Sequence, residues 1–369
     1  MQSLLPIDDI KDPVEVSEAA GLVYITKDVP GISRKKKGKG YAYYHPSGEL
    51  VKNAQIKHRA NGLAIPPAYT NVWISPLRNS HLQATGVDAR GRTQYKYHPR
   101  WREFKNVINH ARMVEFGQLL PKIRRRVQKD LNPENINLHR SQVLATVVRL
   151  LDTTLIRIGN EQYAKLNDTF GLTTIRKKHV EMEKGGKFLF EFQGKSHQEH
   201  TIEVNNPKLA KIVRASMEEP GYELFKYFDS EGNKHDLTSS DVNQYLQDIT
   251  GRDISAKDFR TWWASVLTLM TLEKYGEGES EKTLKTNINK AIKYASSKLG
   301  NTPSVCRKYY VYPGLLDSYL QRTLSQIIQQ FSEKYGPSGL SLEEKKVLYF
   351  LENHLKKETI PKVKSLGAV

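Results

Sequence analysis

At 369 residues the chain is long enough for two or more domains, each with its own core, and its 38% hydrophobic and 26% charged residues are those of a soluble globular protein. Lys plus Arg outnumber Asp plus Glu by 57 to 40, and the resulting +17 makes a positive field that favours polyanions, nucleic acid first and anionic membrane surfaces second; the alternative is a solvated basic surface without a partner. One cysteine excludes an intramolecular disulfide and every multi-cysteine zinc motif. The start "MQSLLPIDDIKDP" lacks the regions of a signal peptide, and "WWASVLTLM" is too short to span a bilayer, so a soluble, cytoplasmic protein is expected.

The first hundred residues read as β-rich. "GLVYITKD", "KGYAYYHP" and "YTNVWIS" are short β-branched and aromatic runs between Pro and Gly clusters. Between the first two lies "RKKKGKG" (34–40), either a solvated loop or a loop that contacts phosphate. "GRTQYKYHP" (91–99) alternates with period two, so Gln94, Lys96 and His98 face one way while Tyr95 and Tyr97 face the other. With Arg92 beside them, these residues suit a β-surface laid against nucleic acid, or else an edge strand with half-buried tyrosines.

From Trp101 the period becomes helical. "WREFKNVINHARMVEF" predicts one helix, and Pro121 fits the first turn of a second, "PKIRRRVQKDL". In "SQVLATVVRLLDTTLIRIG", Leu144, Val147, Val148, Leu151 and Leu155 form one apolar stripe that delivers Arg157 at its end. "HVEMEKGGKFLFEFQG" predicts two strands about a Gly-Gly turn, with Phe188, Phe190 and Phe192 on one face, and "EHTIEV" a third. Helices then return, with cap signatures at Asn206-Pro207, Ser255 to Asp258 and Ser341 with Glu344. The expected fold class is α+β: a β-rich N-terminal domain over 1–98 and a mainly helical domain with a small three-stranded sheet over 99–369.

Candidate chemistry is spread along the second part. "GKS" at 194–196 ends like a phosphate-binding P-loop, but position 189 is Leu rather than Gly and a strand follows. Lys195 is instead a lysine at a hairpin tip. No zinc-protease motif or Cys/His cluster supplies a metal-ligand set. Arg260 in "DFRTWWASVL" opens a helix whose other face is Phe259, Trp262, Trp263 and Val266; it is either a surface residue or a fork aimed at a phosphate, and Arg157 invites the same two readings. "GNTPSVCRKYYVYPGLL" (300–316) sets three tyrosines beside the one cysteine, with Thr302 and Pro303 as N-cap and first helical residue of a short helix ended before Pro313. Tyr309 and Tyr310 point about a hundred degrees apart on such a helix, so they cannot share one phosphate.

Together these segments resemble the small type IB DNA topoisomerases of the poxvirus and bacterial kind. The likeness covers nearly the whole chain, through "LAIPPAYTNVWISP", "HLQATGVDARGRTQYKYHPRWREF", "LIRIGNEQYAKLNDTFGLTTIRKKHV", "FQGKSHQEHTIEV", "DFRTWWASVLT" and "SVCRKYYVYP" in order. The resemblance implies a catalytic set of Arg157, Lys195, Arg260, Asn301 and Tyr310. Asn301 stands nine residues before the nucleophile, where the poxvirus type has histidine and some bacterial members asparagine. Tyr312 stands where bacterial relatives commonly have histidine. Tyr309, Tyr312 and Cys306 are then packing residues. Tyr163 and Lys257 match positions that touch DNA in the family, and Arg92, Gln94, Tyr95 and Tyr97 are expected to touch it from the β-surface.

The implied activity is relaxation of supercoiled duplex DNA by transient strand cleavage through a 3′-phosphotyrosyl link, with no ATP, cofactor or required metal. A monomer clamping double-stranded DNA is expected, with no membrane partner. Two rivals remain at this point. A tyrosine recombinase shares the chemistry but usually places a histidine three before the second arginine, where this chain has Lys257; a non-catalytic basic nucleic-acid-binding protein is the other.

Overall fold

The computed structural model describes residues 12–89 and 91–355. These fall into two compact units, one ending at Arg112 and the other beginning at Met113.

In the first unit, α1 (Pro13–Ala19) starts at Asp12, whose carboxylate accepts from the Val14 N–H. Five strands follow, interrupted by a short helix: β1 (Ile32–Lys37), β2 (Gly40–Tyr44), α2 (Ala54–Gly62), β3 (Thr70–Ile74), β4 (Leu82–Val87) and β5 (Thr93–Tyr97). They form one antiparallel sheet in the order β2-β1-β3-β4-β5. Ile32, Tyr43, Val51, Val72, Ile74 and Ala84 make one small core; Val16, Leu22, Trp101, Phe104 and Ile108 make another.

Two expectations for this unit fail. "RKKKGKG" is not a loop: most of it is β1 and its hairpin turn, with Arg34 opposite Tyr43 and Lys36 opposite Tyr41. The charges are tolerated because the side chains find partners. Arg34 donates to the carbonyls of Ile65, Pro66 and Tyr69 and lies 4.2 Å over the Tyr41 ring, and Lys35 lies 5.2 Å over Tyr44. "GLVYITKD" forms no strand, only a single bridge from Val23 to Ser80.

The two helices expected around Pro121 are one helix, α3 (Pro99–Leu131), with Pro121 inside it. An interior proline removes one hydrogen bond and crowds the carbonyl four residues back, here that of Gly117. Burial of Phe116, Leu120, Ile123 and Val127 on both sides of the break offsets that cost, since each such side chain contributes about 1.5–3 kcal/mol.

The second unit holds one large core. After α3 come α4 (Arg140–Thr154) and α5 (Glu161–Asn167). The small sheet follows, with β6 (Val180–Met182), β7 (Lys187–Gly194) and β8 (Gln198–Asn205) in sequential order. Phe188, Phe190 and Phe192 are buried on one face of β7, as the alternation predicts. Next are α6 (Pro207–Glu218), a two-stranded ribbon of β9 (Lys226–Phe228) and β10 (Lys234–Asp236), and α7 (Ser239–Thr250). The chain closes with α8 (Ala256–Tyr275), α9 (Glu281–Leu299), α10 (Pro303–Tyr309), α11 (Pro313–Leu320), α12 (Leu324–Gln329) and α13 (Leu342–Leu355). The caps expected at Asn206 and Ser341 are made, and at Ser255 the Asp258 carboxylate accepts from the Ser255 N–H. Among the described residues no helix is long and apolar enough to cross a membrane.

Four elements of this core are tied together by one charge network. Arg124 on α3 donates to both carboxylate oxygens of Asp152 on α4, at 2.8 and 2.9 Å, and to both of Glu344 on α13, at 2.9 and 2.8 Å. From α8, Trp263 donates to Asp152 and Trp262 to Glu344. Both carboxylates are buried. The network therefore sets α4 against α8, the two helices that carry Arg157 and Arg260 to the site.

Candidate active site

The apolar stripe of α4 is fully buried, so the helix is anchored up to its last turn. Leu155 then takes a left-handed conformation, φ 59°, and ends it. The chain turns sharply there and Arg157 is delivered half-buried two residues on. Close packing holds the bend: a methyl group on Gly171 would lie 2.5 Å from the Arg157 carbonyl oxygen, which accepts from the Leu172 N–H at 2.9 Å.

Arg260 occupies the second turn of α8 and is only 4% exposed. The sequence allows a surface arginine or a fork projecting from an apolar platform; the structure places it inside. Nη1 donates to the Leu155 carbonyl and Nη2 to the Leu299 carbonyl at 2.8 Å. The guanidinium is thereby clamped between the C-terminal ends of α4 and α9, where the helix dipoles favour positive charge. Its Nε is buried without a hydrogen-bond partner among the described residues.

Asn301 follows α9 directly. Gly300 ends that helix at φ 58°, and its carbonyl accepts from Arg157 Nη2 at 3.0 Å. The same nitrogen donates to Asn301 Oδ1. This fixes the amide: the oxygen faces Arg157 and Nδ2 is left as a buried donor, also without a partner among the described residues.

Tyr310 caps α10. Thr302 starts that helix by accepting from the Val305 N–H, and the Tyr310 N–H returns to the Cys306 carbonyl at 3.0 Å. The ring packs against the large core, and the Arg260 guanidinium carbon lies 5.2 Å from its centre. Tyr309 is 57% exposed, with Lys308 over its ring. The two neighbouring tyrosines therefore diverge as the helical geometry requires. Cys306 and Tyr312 are buried, and Tyr312 pairs its hydroxyl with His354 Nδ1 at 2.8 Å.

The electrostatics follow from this packing. Burial pushes the Tyr310 phenol up, but the charge of Arg260, joined by Arg157 and Lys257, outweighs it and leaves the phenol below its ordinary value. Burial, then Arg157, pushes Arg260 down to about 10, against the opposing pull of Tyr310. Arg157 is likewise lowered, by burial. Both stay cationic at neutral pH, so two guanidiniums and a phenol with an eased proton share one corner.

Lys195 is placed where the hairpin reading puts it, exposed on the short 3-10 turn (195–197) between β7 and β8. Lys257 is exposed one turn before Arg260. The side chain of Tyr163 lies outside the described residues. In the first unit, Arg92 and Gln94 both bind Asp88, through an ion pair of 2.8 Å and a hydrogen bond of 2.9 Å. Tyr95 is half exposed, and Tyr97 stacks between Tyr95 and Trp101. Strand β5 is an edge strand, as one of the two sequence readings has it.

Sequence reasoning missed three contributors: the carbonyls of Leu155, Leu299 and Gly300 that hold the guanidiniums, the Arg124 network, and His200. Backbone acceptors leave no residue signature. His200 carried one signal, its position on β8 directly opposite Phe192, but only a structure shows which glycines it meets. Among the described residues, no three His, Cys, Asp or Glu side chains are grouped to hold a metal ion.

This geometry, one buried and one half-buried guanidinium around a tyrosine on a mainly helical unit, can be set beside known proteins. The family model described as the catalytic core of eukaryotic DNA topoisomerase I matches residues 99–333, and that of the N-terminal domain of bacterial DNA topoisomerase IB matches residues 40–88. The chain is 32% identical over 297 residues to DNA topoisomerase 1B of Acanthamoeba polyphaga mimivirus, covering 78% of this chain and 87% of the relative. It is 25% identical over 304 residues to DNA topoisomerase 1 of rabbit fibroma virus, covering 77% and 86%, and 23% identical over 298 residues to the vaccinia virus enzyme, covering 78% and 86%.

The chain belongs to the type IB DNA topoisomerase family. It is an isomerase of that type, with DNA as its substrate.

Proposed function

We propose that this protein relaxes supercoiled duplex DNA with Tyr310 as the nucleophile. The observation that carries the reading is the pair of buried donors without partners among the described residues, Arg260 Nε and Asn301 Nδ2, in the corner where the Tyr310 phenol is eased toward phenolate. Unpaired buried donors are costly, and a phosphodiester supplies the acceptor oxygens that would satisfy them.

Tyr310 gives up its proton to solvent water, eased by the neighbouring guanidiniums, and its oxygen attacks the scissile phosphorus in line. Arg157, Arg260 and Asn301 donate to the non-bridging oxygens as negative charge grows in the transition state. The bond to the 5′-oxygen breaks, Lys195 protonates that oxygen as general acid, and the DNA 3′ end is left as a phosphotyrosyl ester. One ester replaces another of similar energy, so attack by the 5′-hydroxyl reverses the step without ATP. Strand rotation between the two steps releases superhelical strain. Side-chain cations supply the charge, so relaxation is expected to proceed in EDTA.

The protein acts as a monomeric clamp, each unit contributing its own DNA contacts: Lys257 and Tyr163 from one, Arg92, Gln94, Tyr95 and Tyr97 from the other. Its expected location is the cytoplasm.

The test is SDS trapping on an end-labelled duplex, with mapping of the modified residue, alongside relaxation of a plasmid that lacks any recombination site. A 3′ adduct on Tyr310, lost in Tyr310→Phe while duplex binding persists, supports the reading. Dependence on a paired recognition site would assign a recombinase. Neither adduct nor relaxation from wild type would leave only a DNA-binding protein.

A further inference from the structure

His200 has no part in the five-residue set, yet it sits where two halves of the site meet. Its ring stacks on Phe192, centroids 5.0 Å apart and planes within 14°, which fixes the ring's orientation from β7. Two glycines abut its edges. A methyl group on Gly194 would lie 2.5 Å from Nε2 and 2.6 Å from Cδ2, and one on Gly300 would overlap Cε1. Gly194 is the residue immediately before Lys195. Gly300 is the residue immediately before Asn301, and its carbonyl accepts from Arg157.

One side chain thus spans from the root of the lysine turn to the corner that holds Arg157 and Asn301. The imidazole makes no hydrogen bond among the described residues, so shape is what it contributes there. Burial and the charges of Arg157 and Arg260 keep it neutral, so it adds no third positive charge to the cluster.

We propose that His200 is a positioning residue for the strand-transfer step: wedged between Gly194 and Gly300, it sets the register of the Lys195 turn against the Arg157–Asn301 corner. The inference rests on the reading of Lys195 as the general acid. Lys195 lies on an exposed turn of three residues, and the wedge fixes the root of that turn from the side of the phosphate site. Without it, Lys195 would still be present but would reach the 5′-oxygen less often. A misplacement of about 1 Å can cost about 100-fold in rate.

The leaving group separates this role from a general loss of structure. An alkoxide must be protonated as it departs, whereas a thiolate, whose conjugate acid has a pKa near 8.5, leaves without help. Single-turnover cleavage should therefore be compared on two duplexes, one normal and one with sulfur in place of the scissile 5′-oxygen. His200→Ala is expected to cut the oxygen substrate about 30-fold to 100-fold more slowly than wild type. On the sulfur substrate the deficit should shrink to within about threefold, since no proton is needed, and Lys195→Ala should show the same pattern. His200→Leu fills a similar space without ring nitrogens and should recover most of the rate.

An equal deficit on both substrates would place the damage at Arg157 and Asn301 and overturn the inference, as would wild-type cleavage of the oxygen substrate by His200→Ala. A folded His200→Leu as slow as His200→Ala would assign the effect to the nitrogens and overturn the packing role. If His200→Ala does not fold, the Leu variant and Lys195→Ala still carry the comparison. Failure of wild type to form an adduct on either duplex is a separate result: it removes the active-site reading itself.

Discussion

The Arg260 guanidinium carbon lies 5.2 Å from the centre of the Tyr310 ring, while two of its nitrogens are spent on the carbonyls of Leu155 and Leu299. The arginine is thus both a strut between two helix ends and the main charge acting on the phenol. Removing the side chain ends both duties, and the pH profile isolates the second. Arg260→Ala should lower single-turnover cleavage by about 100-fold to 1000-fold, the usual cost of removing one preorganised donor. It should also move the pH profile. Tyr310 in the intact protein lies below its ordinary value, so its phenolate fraction rises with pH earlier than in a free tyrosine. Without Arg260 the rising limb should shift to higher pH. A profile that keeps its position while the rate falls would show that Arg260 does not act on the phenol.

The Arg124 network predicts a stability effect without direct contact with the site. Arg124→Ala leaves Asp152 and Glu344 buried without their shared cation, and breaking a buried pair from one side costs about 3–5 kcal/mol. Burial disfavours the arginine's charge, but the two carboxylates more than restore it and hold it firmly protonated, so the intact network keeps its shared cation throughout the neutral range. Urea midpoints measure the loss. Replacing all three residues by apolar ones of similar size should recover much of it.

A histidine gives the fold an acid limit. His179 is buried against Phe170, with ring centroids 4.5 Å apart, and its Nδ1 accepts from the Arg176 N–H. Burial first, then Lys178 and Arg176, pushes it down to about 4. The folded value lies below the unfolded one, so the unfolded chain binds more protons between them. Stability is therefore present above about pH 6.5 and is lost as pH falls toward 4, by up to about 3 kcal/mol for this group. His200, His81 and His98 are lowered in the same sense. Urea unfolding across that interval should show the slope, and His179→Gln should flatten it.

Salt titration of DNA binding tests the contacts of the first unit. If Arg92 touches a phosphate, Arg92→Ala should reduce the slope of log affinity against log salt by about 1. If the ion pair with Asp88 retains it on the protein instead, the slope is unchanged. The same measurement on Lys257→Ala gives the matching count for the second unit.

Much of this was legible beforehand, for reasons that differ by residue. Phe188, Phe190 and Phe192 declare a strand because alternation survives burial of one face, and the stripe of α4 declares a core helix on the same logic. Thr302 and Pro303 mark the start of α10 because capping is local chemistry. Where tertiary contact decides, local reading fails. Pro121 looks like a helix start, yet the core on both sides of it keeps α3 whole. The lysine run looks like a loop, yet a paired strand of tyrosines makes it β1. Arg260 could be read as surface or site, and only the approach of two helix ends, from residues 155 and 299, explains why so polar a group is inside.

Cys306 is fully buried, its carbonyl holds the Tyr310 N–H, and burial pushes its thiol up to about 11. As the one cysteine of the chain, it can be alkylated only when α10 lets go of the core, so reagent uptake in the native protein is a clock for local opening of the segment that carries the tyrosine. A duplex seated on that tyrosine should slow the clock, and the retardation would give occupancy of the cleavage pocket without any strand being cut.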